Sequence, residues 1–428
     1  MPDTEETLRI LIYGLNYPPE LVGIGKFTGE MARWLRRRGH EVKVICAPPY
    51  YPAWRVRGGY SAWRYRAETL DGIDILRCPI WVPKRVTGLT RILHLLSFAL
   101  SSAVPMLLQR RWRPDLVFAV EPPLFGALPA LASARLSGVP AWLHVQDFET
   151  DAAFDLGLLR SGWLRKLVFA AERALMTRFS RISTISEKML ERALRKTRGA
   201  SPCVLFPNWV DTQRIFPLRR SSEYRRRLDI PDDSIVLSYS GSMGEKQGLE
   251  LVLEAARKLQ QDDRYVFVMA GSGSAYARLR DQASDIGNMR WLPLQPEDKL
   301  NEFLNLADIH LLPQRADAAD LVMPSKLTGM LASGRPMVAT ARPGTQVAAV
   351  VEHAGIVVPP GDHDALTAAI ETLGSDAPLR ERLGAAARAY ATELLDRQRV
   401  LAGFEAELTE AMNEASDAYR TSAGAATR

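Results

Sequence analysis

A chain of 428 residues, 47% hydrophobic and 24% charged, has the make-up of a globular protein and is too long for one ordinary core, so two domains are expected. Its formal charge of +6 is modest, and its three cysteines, Cys46, Cys78 and Cys203, are odd in number and far apart, which argues against a disulfide framework and fits a reducing cytosol. The beginning, MPDTEETLRILIYG, places acids before an apolar run too short for a signal or membrane helix, so a cytoplasmic location is expected.

Leu8 to Tyr13 is a predicted strand, and Gly14 to Gly25 is a loop rich in proline and glycine. Lys26 to Arg38 has helical spacing and is stopped by Gly39 before the strand Glu41 to Ala47, giving the strand, helix, strand unit of a parallel sheet. Gly23, Gly25 and Gly29 imitate a dinucleotide fingerprint, but Gly23 lies ten residues past the strand and no acid closes the second strand. What remains is a loop whose bare N–H groups approach another ligand, or a simple turn.

After a strand at Ile73 to Cys78, the stretch Lys84 to Arg113 carries six basic residues and no acid around the apolar run Ile92 to Leu108. It suits either a surface that meets anionic lipid or a core helix with solvated arginines; His94, three serines and Pro105 argue against a membrane span. Strands at Leu116 to Val120 and Ala141 to Val145 flank a helix at Phe125 to Leu136, and HVQDFETDAA follows with His144, Asp147, Glu149 and Asp151. Polar residues at the carboxyl end of such a strand are site candidates, although a single histidine is more often structural. Arg160 to Arg198 is again basic, with 11 Lys and Arg against three Glu, and reads as a second lipid-facing segment. No nucleic-acid-binding motif accompanies either charge cluster.

VLFPNWVD, from Val204 to Asp211, closes the first half, and the alternation then repeats. A strand at Ile235 to Ser240 meets the glycine-rich loop GSMGEKQG, Gly241 to Gly248, and a helix at Leu249 to Gln260. Lys246 therefore stands near a helix start, a place suited to phosphate, without the spacing of a P-loop. Further on, PSKLTGMLASGRPMVAT reads loop, helix, glycine stop, strand, with Ser325 and Lys326 at the helix N-terminus. Free N–H donors, a hydroxyl and an ammonium there make either a phosphate cradle or an ordinary capped helix. Asp362-His363-Asp364 has the spacing of a metal-binding DxD element but stands before a helix, where capping accounts for it; no HExxH, paired CxxC or GxSxG occurs. No metal or cofactor is expected.

In combination, YPPELVGIGKF, HVQDF, FPNWVD, YSGSMGEKQGLE, AGSG and PSKLTGMLASGRPMVAT resemble the retaining GT-B glycosyltransferases of family 4. PPELVGIGKFTGEMARWLRRRGHEVKV and GEKQGLE look most like the colanic-acid biosynthesis glycosyltransferases, a fucosyl group, and are also similar to N-acetyl-L-fucosamine transferases of O-antigen assembly. The resemblance implies an α/β fold of the GT-B kind, two Rossmann-like domains with parallel sheets facing across a cleft. Residues 1–215 would form the acceptor and membrane-facing domain, 216–390 the nucleotide-sugar domain, and 391–428 a helix returning to the first.

Carried over residue by residue, the resemblance sets Gly23 and Gly25 on the loop near the donor phosphates, His144 on a histidine that bonds the donor sugar, and Lys246 on the lysine that stabilises the leaving diphosphate. Gly241, Ser325 and Lys326 fall on the diphosphate-binding segments, and Glu20, Asp147 and Glu149 are candidates for holding or orienting the acceptor. The sequence departs from the family in lacking an arginine before Lys246 and in having Leu321 and Gly329 where two glutamates are usual. The implied reaction moves a deoxyhexose, fucose or N-acetylfucosamine, from a GDP- or UDP-linked donor to a lipid-linked saccharide at the inner face of the membrane. A GT-B-shaped nucleotide-sugar epimerase and a catalytically degenerate nucleotide-sugar-binding subunit are the alternatives.

Overall fold

The computed structural model describes residues 7–20, 23–122, 124–148, 162–219, 221–315 and 323–426. Glu149, Asp151 and Leu321 lie outside these residues. The chain forms two compact units, Met1–Pro207 with Leu401–Arg428, and Asn208–Val400.

Among the described residues the first unit is built on eight strands: β1 (Arg9–Tyr13), β2 (Glu41–Cys46), β3 (Arg66–Leu70), β4 (Ile73–Arg77), β5 (Leu116–Glu121), β6 (Ala141–Val145), β7 (Arg181–Thr184) and β8 (Cys203–Leu205). They lie in the order β3-β4-β2-β1-β5-β6-β7-β8, all parallel to their neighbours except β3, which runs antiparallel to β4. Central strands such as β5 and β6 are buried at every position, as expected where both faces of a parallel sheet are covered. β3 is absent from the sequence-based expectation because RAETL is polar and largely exposed, with no period to mark it.

Helix Gly88–Leu108 begins with a capping box at Thr87 and Thr90 and buries His94, Leu95, Phe98, Ser102, Pro105 and Met106. The Ser102 and Tyr13 hydroxyls share a hydrogen bond of 2.7 Å, which ties this face to the end of β1. The other face exposes Leu89, Leu93, Leu100, Val104 and Leu108. By length and composition alone this helix could cross a membrane, yet one side of it is built into the unit. Part of the second basic segment's charge is answered internally. Arg181 pairs with Glu407 and Glu414 of helix Arg397–Ala426, and Lys196 pairs with the buried Glu172. Phe404 of the same terminal helix stacks on Phe206 with ring centroids 4.1 Å apart.

Among the described residues the second unit has six parallel strands, β9 (Ile235–Ser242), β10 (Tyr265–Ser272), β11 (Met289–Leu292), β12 (Ile309–Leu312), β13 (Met337–Thr340) and β14 (Gly355–Val358). Their order is β11-β10-β9-β12-β13-β14. Chain connections leave β9 first toward β10 and later resume on its other side at β12, so β9 and β12 flank the point where the winding reverses. The same reversal occurs between β1 and β5 in the first unit. Ligands of open parallel sheets bind outside the carboxyl ends of strands at such points.

The loops at the carboxyl edge of the first sheet are held by one buried cation. Arg77, 1% exposed, donates to Glu68 on β3 at 2.8 Å, to the Ala47 carbonyl after β2 at 3.1 Å, and to the Pro18 carbonyl in the loop after β1. Replacing it leaves the Glu68 carboxylate and two carbonyls short of a donor. Arg77→Met should lower unfolding free energy by about 3 to 5 kcal/mol, the range for breaking a buried pair from one side. Chemical denaturation measures it, and a loss below about 1 kcal/mol would contradict this role.

Candidate active site

In the second unit the reversal point is bordered by Gly241–Gly248, which leaves β9, and by helix Ser325–Ala332. Gly241 has φ +135°, and a Cβ at that position would lie 3.4 Å from Cδ of Lys326 and 4.0 Å from its Nζ. The loop can therefore run directly beside the lysine. Lys326 stands over the Tyr239 ring, Nζ 4.2 Å from the centroid, and the Tyr239 hydroxyl donates to the Ser242 carbonyl at 2.5 Å. No carboxylate pairs with Lys326 among the described residues. Burial without such a partner lowers its pKa from 10.5 to about 7.

Pro324 is the N-cap of that helix, with Ser325 and Lys326 as its first two residues, so their N–H groups belong to the turn that has no intrahelical acceptor. Gly334, φ +67°, lies just beyond the helix, as the sequence implies. Gly329 is packed: a Cβ there would meet Leu304 Cδ1 at 3.3 Å, so a glutamate at this position would require Leu304 to move. Lys246 lies on the single turn Glu245–Gln247 within the glycine loop, on the same lip as Gly241. The carboxyl edge of this sheet thus gathers Gly241, Lys246, Ser325 and Lys326.

The first unit places the remaining candidates at its own carboxyl edge. Glu20 is buried and fully engaged: Oε1 accepts from the N–H groups of Tyr50 and Tyr51, both at 2.9 Å, and Oε2 from Asn16 Nδ2 at 2.8 Å. Desolvation raises its pKa against these hydrogen bonds. The carboxylate therefore organises loops rather than presenting itself to an acceptor. Gly25 is close-packed, since a Cβ there would lie 3.1 Å from Glu20 Oε2 and 3.3 Å from the Tyr17 nitrogen. Gly23, with φ +63°, precedes helix Ile24–Arg37 and lies beside Tyr51.

His144, on β6, is 4% exposed and both its ring nitrogens are used. Nε2 is 2.9 Å from the Gln146 amide nitrogen, which donates to it, leaving Nδ1–H to donate to Ser183 Oγ at 2.8 Å. Trp142 Nε1 donates to the same Oγ at 2.8 Å. Desolvation lowers the His144 pKa to about 3, so the ring is neutral at ordinary pH. In this geometry both ring nitrogens of His144 are engaged within the protein, and one of them holds the Gln146 amide. Asp147 follows as a half-buried residue. Sequence reasoning passed over Gln146, Tyr239 and Arg77; only Arg77 carried a signal, a guanidinium inside the otherwise apolar run Ile75 to Ile80. No three His, Cys, Asp or Glu side chains are grouped to hold a metal ion among the described residues.

Two parallel-sheet units, each reversing its winding at a loop-lined edge, define the GT-B class of glycosyltransferases. Solved structures of that shape include sucrose-phosphate synthase from Thermosynechococcus elongatus, with TM-score 0.72, 15% identity and coverage of 94% of this chain and 98% of that one. HepE from Anabaena, in complex with UDP, gives TM-score 0.70 at 14% identity over 94% and 100% of the two chains. Residues 22–209 match the family described as glycosyl transferase 4-like domain, and residues 220–390 match glycosyl transferases group 1. The colanic acid biosynthesis glycosyl transferase WcaI of Escherichia coli (strain K12) is 43% identical over 407 residues, 93% of this chain and 98% of that relative. A GDP-mannose-dependent alpha-mannosyltransferase of Mycobacterium tuberculosis (strain CDC 1551 / Oshkosh) is 27% identical over 64% of this chain and 65% of its own. The chain belongs to the group 1 glycosyltransferase family and is a glycosyltransferase.

The isolated Lys326 makes stability depend on pH with a definite sign. Between pH 7 and 10.5 the unfolded chain holds a proton on this side chain that the folded chain has lost, so this group makes stability rise with pH across that window. Lys326→Met should therefore be more stable than the parent near neutral pH, by a margin that shrinks toward pH 10. Thermal melts across the range measure the margin; one that stays constant would show that the lysine is not desolvated.

Proposed function

We propose that the chain is a retaining, metal-independent transferase that moves a sugar from a GDP- or UDP-linked donor to a lipid-linked saccharide, a deoxyhexose such as fucose or N-acetylfucosamine being favoured. The observation that carries the donor part is Lys326, a half-buried lysine with no carboxylate partner among the described residues, beside a bare glycine loop at a winding reversal. Such a site suits an anion, and a sugar nucleotide's diphosphate is one. The UDP held by HepE, a structure of the same fold, agrees with this reading. The WcaI relative, named for colanic acid biosynthesis, supports a role in exopolysaccharide or O-antigen assembly.

The breaking bond joins sugar C1 to the outer phosphate oxygen. As it lengthens, negative charge grows on that oxygen, and Lys246, Lys326 and the N–H groups at Ser325 and Lys326 stabilise it. The acceptor hydroxyl adds to C1 on the face the phosphate leaves, and its proton passes to the departing phosphate oxygen. Gln146, aligned by neutral His144, is the first unit's candidate for a hydrogen bond to a sugar hydroxyl.

The lipid part of the reading rests on helix Gly88–Leu108, whose exposed Leu89, Leu93, Leu100, Val104 and Leu108 form one apolar face. Arg110 and Arg111 follow on the next turn. A half-buried helix of this kind suits lying on an anionic surface at the inner face of the membrane, with arginines at headgroup level. In the second basic segment Arg181 and Lys196 are already paired, with Glu407 and Glu414 and with Glu172, and the apolar face beside Arg110 and Arg111 makes the first the principal contact.

Lys246→Ala should lower turnover by a factor of about 100 or more, as removal of one charge-stabilising donor does elsewhere, with the melting temperature unchanged. Release of nucleoside diphosphate by the purified variant measures this, and near-normal turnover would remove the assignment. Replacing Leu100 and Val104 by Glu, or Arg110 and Arg111 by Glu, should abolish cosedimentation with vesicles containing phosphatidylglycerol; the arginine effect should be strongest at low salt. Undiminished cosedimentation by both variants would contradict the membrane reading.

A further inference from the structure

The glycine loop of the second unit lacks an arginine before Lys246, yet the fold brings one to it from elsewhere. Arg315 lies just beyond β12, the strand that adjoins β9 across the winding reversal. Its side chain packs on the far end of the glycine loop: a Cβ on Gly248, whose φ is +59°, would stand 2.9 Å from Arg315 Cγ and 3.5 Å from the Arg315 backbone nitrogen. Lys326 approaches the near end at Gly241, so two cations from separate segments flank the loop that carries Lys246. Arg315 is exposed, and its charge reaches the Glu250 carboxylate at the start of the following helix, which Arg278 also pairs at 2.6 Å.

We infer that Arg315 is a donor-binding residue, which reaches the diphosphate from the β12 side of the reversal point and supplies the guanidinium that the glycine loop does not. This rests on the nucleotide-sugar reading above and adds to it the residue that distinguishes a diphosphate from a monophosphate. A guanidinium suits the role because its planar fork can bond two phosphate oxygens at once, whereas an ammonium acts as a point charge. Its placement on a different strand end also explains how the loop after β9 can be reduced to Gly241-Ser242-Met243-Gly244 while a guanidinium still joins the two lysines there.

Calorimetric titration of the full chain with UDP, GDP, UMP and GMP tests this, using the parent, Arg315→Ala, Arg315→Lys and Lys246→Ala. The parent should bind one nucleoside diphosphate more tightly than its monophosphate. Arg315→Ala should weaken the diphosphate by about tenfold or more, as loss of a charged hydrogen bond implies, while monophosphate affinity and melting temperature stay unchanged. Arg315→Lys should recover part of the loss. Diphosphate binding by Arg315→Ala within about twofold of the parent, or an equal loss of both nucleotides, would overturn the inference. Were that to occur while Lys246→Ala still lost the diphosphate, only Arg315 would be misassigned. Failure of the parent to bind either diphosphate would overturn the donor reading and this inference together.

Discussion

In a parallel sheet every strand ends on the same side, so the loops that follow them share one edge. That constraint governs both units. Where the winding reverses, between β1 and β5 and again between β9 and β12, neighbouring loops depart in opposite directions and leave room beside the strand ends. The second unit fills the margins of that room with cations. Lys326 is the most informative, because desolvating an ammonium without a carboxylate is unfavourable unless function requires it. Tyr239 offsets part of the cost through its ring face, and the bare backbone at Gly241 allows the approach.

The first unit uses the same edge differently. Its ionised groups there are satisfied by the protein: Glu20 by three N–H donors, Arg77 by Glu68 and two carbonyls. Such networks hold loops in fixed positions. His144 follows the same logic, since a neutral ring with both nitrogens engaged can orient an amide but cannot shuttle protons near neutral pH. The two edges differ accordingly: compensated carboxylate and guanidinium in the first unit, and in the second a lysine, Lys326, with no carboxylate partner among the described residues.

Much of this architecture was legible in the sequence. Apolar runs bounded by glycine and proline gave strands such as β5, β6 and β12 within a residue or two, and PSKLTGMLASG gave its helix with the right glycine stop, Pro324 standing at the N-cap one position before the first turn. The site was less legible, for physical reasons. Glu20 looks available in a loop sequence, and only folding reveals that the N–H groups of Tyr50 and Tyr51, thirty and thirty-one positions away, claim it. Arg315 shows the converse, because a missing local arginine can be replaced only by a residue that the sheet order brings alongside. The motif supplied its gap, and the topology supplied a candidate to fill it.

The central claim is transfer of a sugar from a nucleotide donor, and its most direct test is NMR of the purified chain with GDP- and UDP-sugars and a detergent-solubilised lipid extract. The account predicts that free nucleoside diphosphate accumulates only with the extract present, together with a new glycoside whose anomeric configuration matches that of the donor. A nucleotide sugar converted to its epimer without release of diphosphate, or no change in any donor, would contradict it.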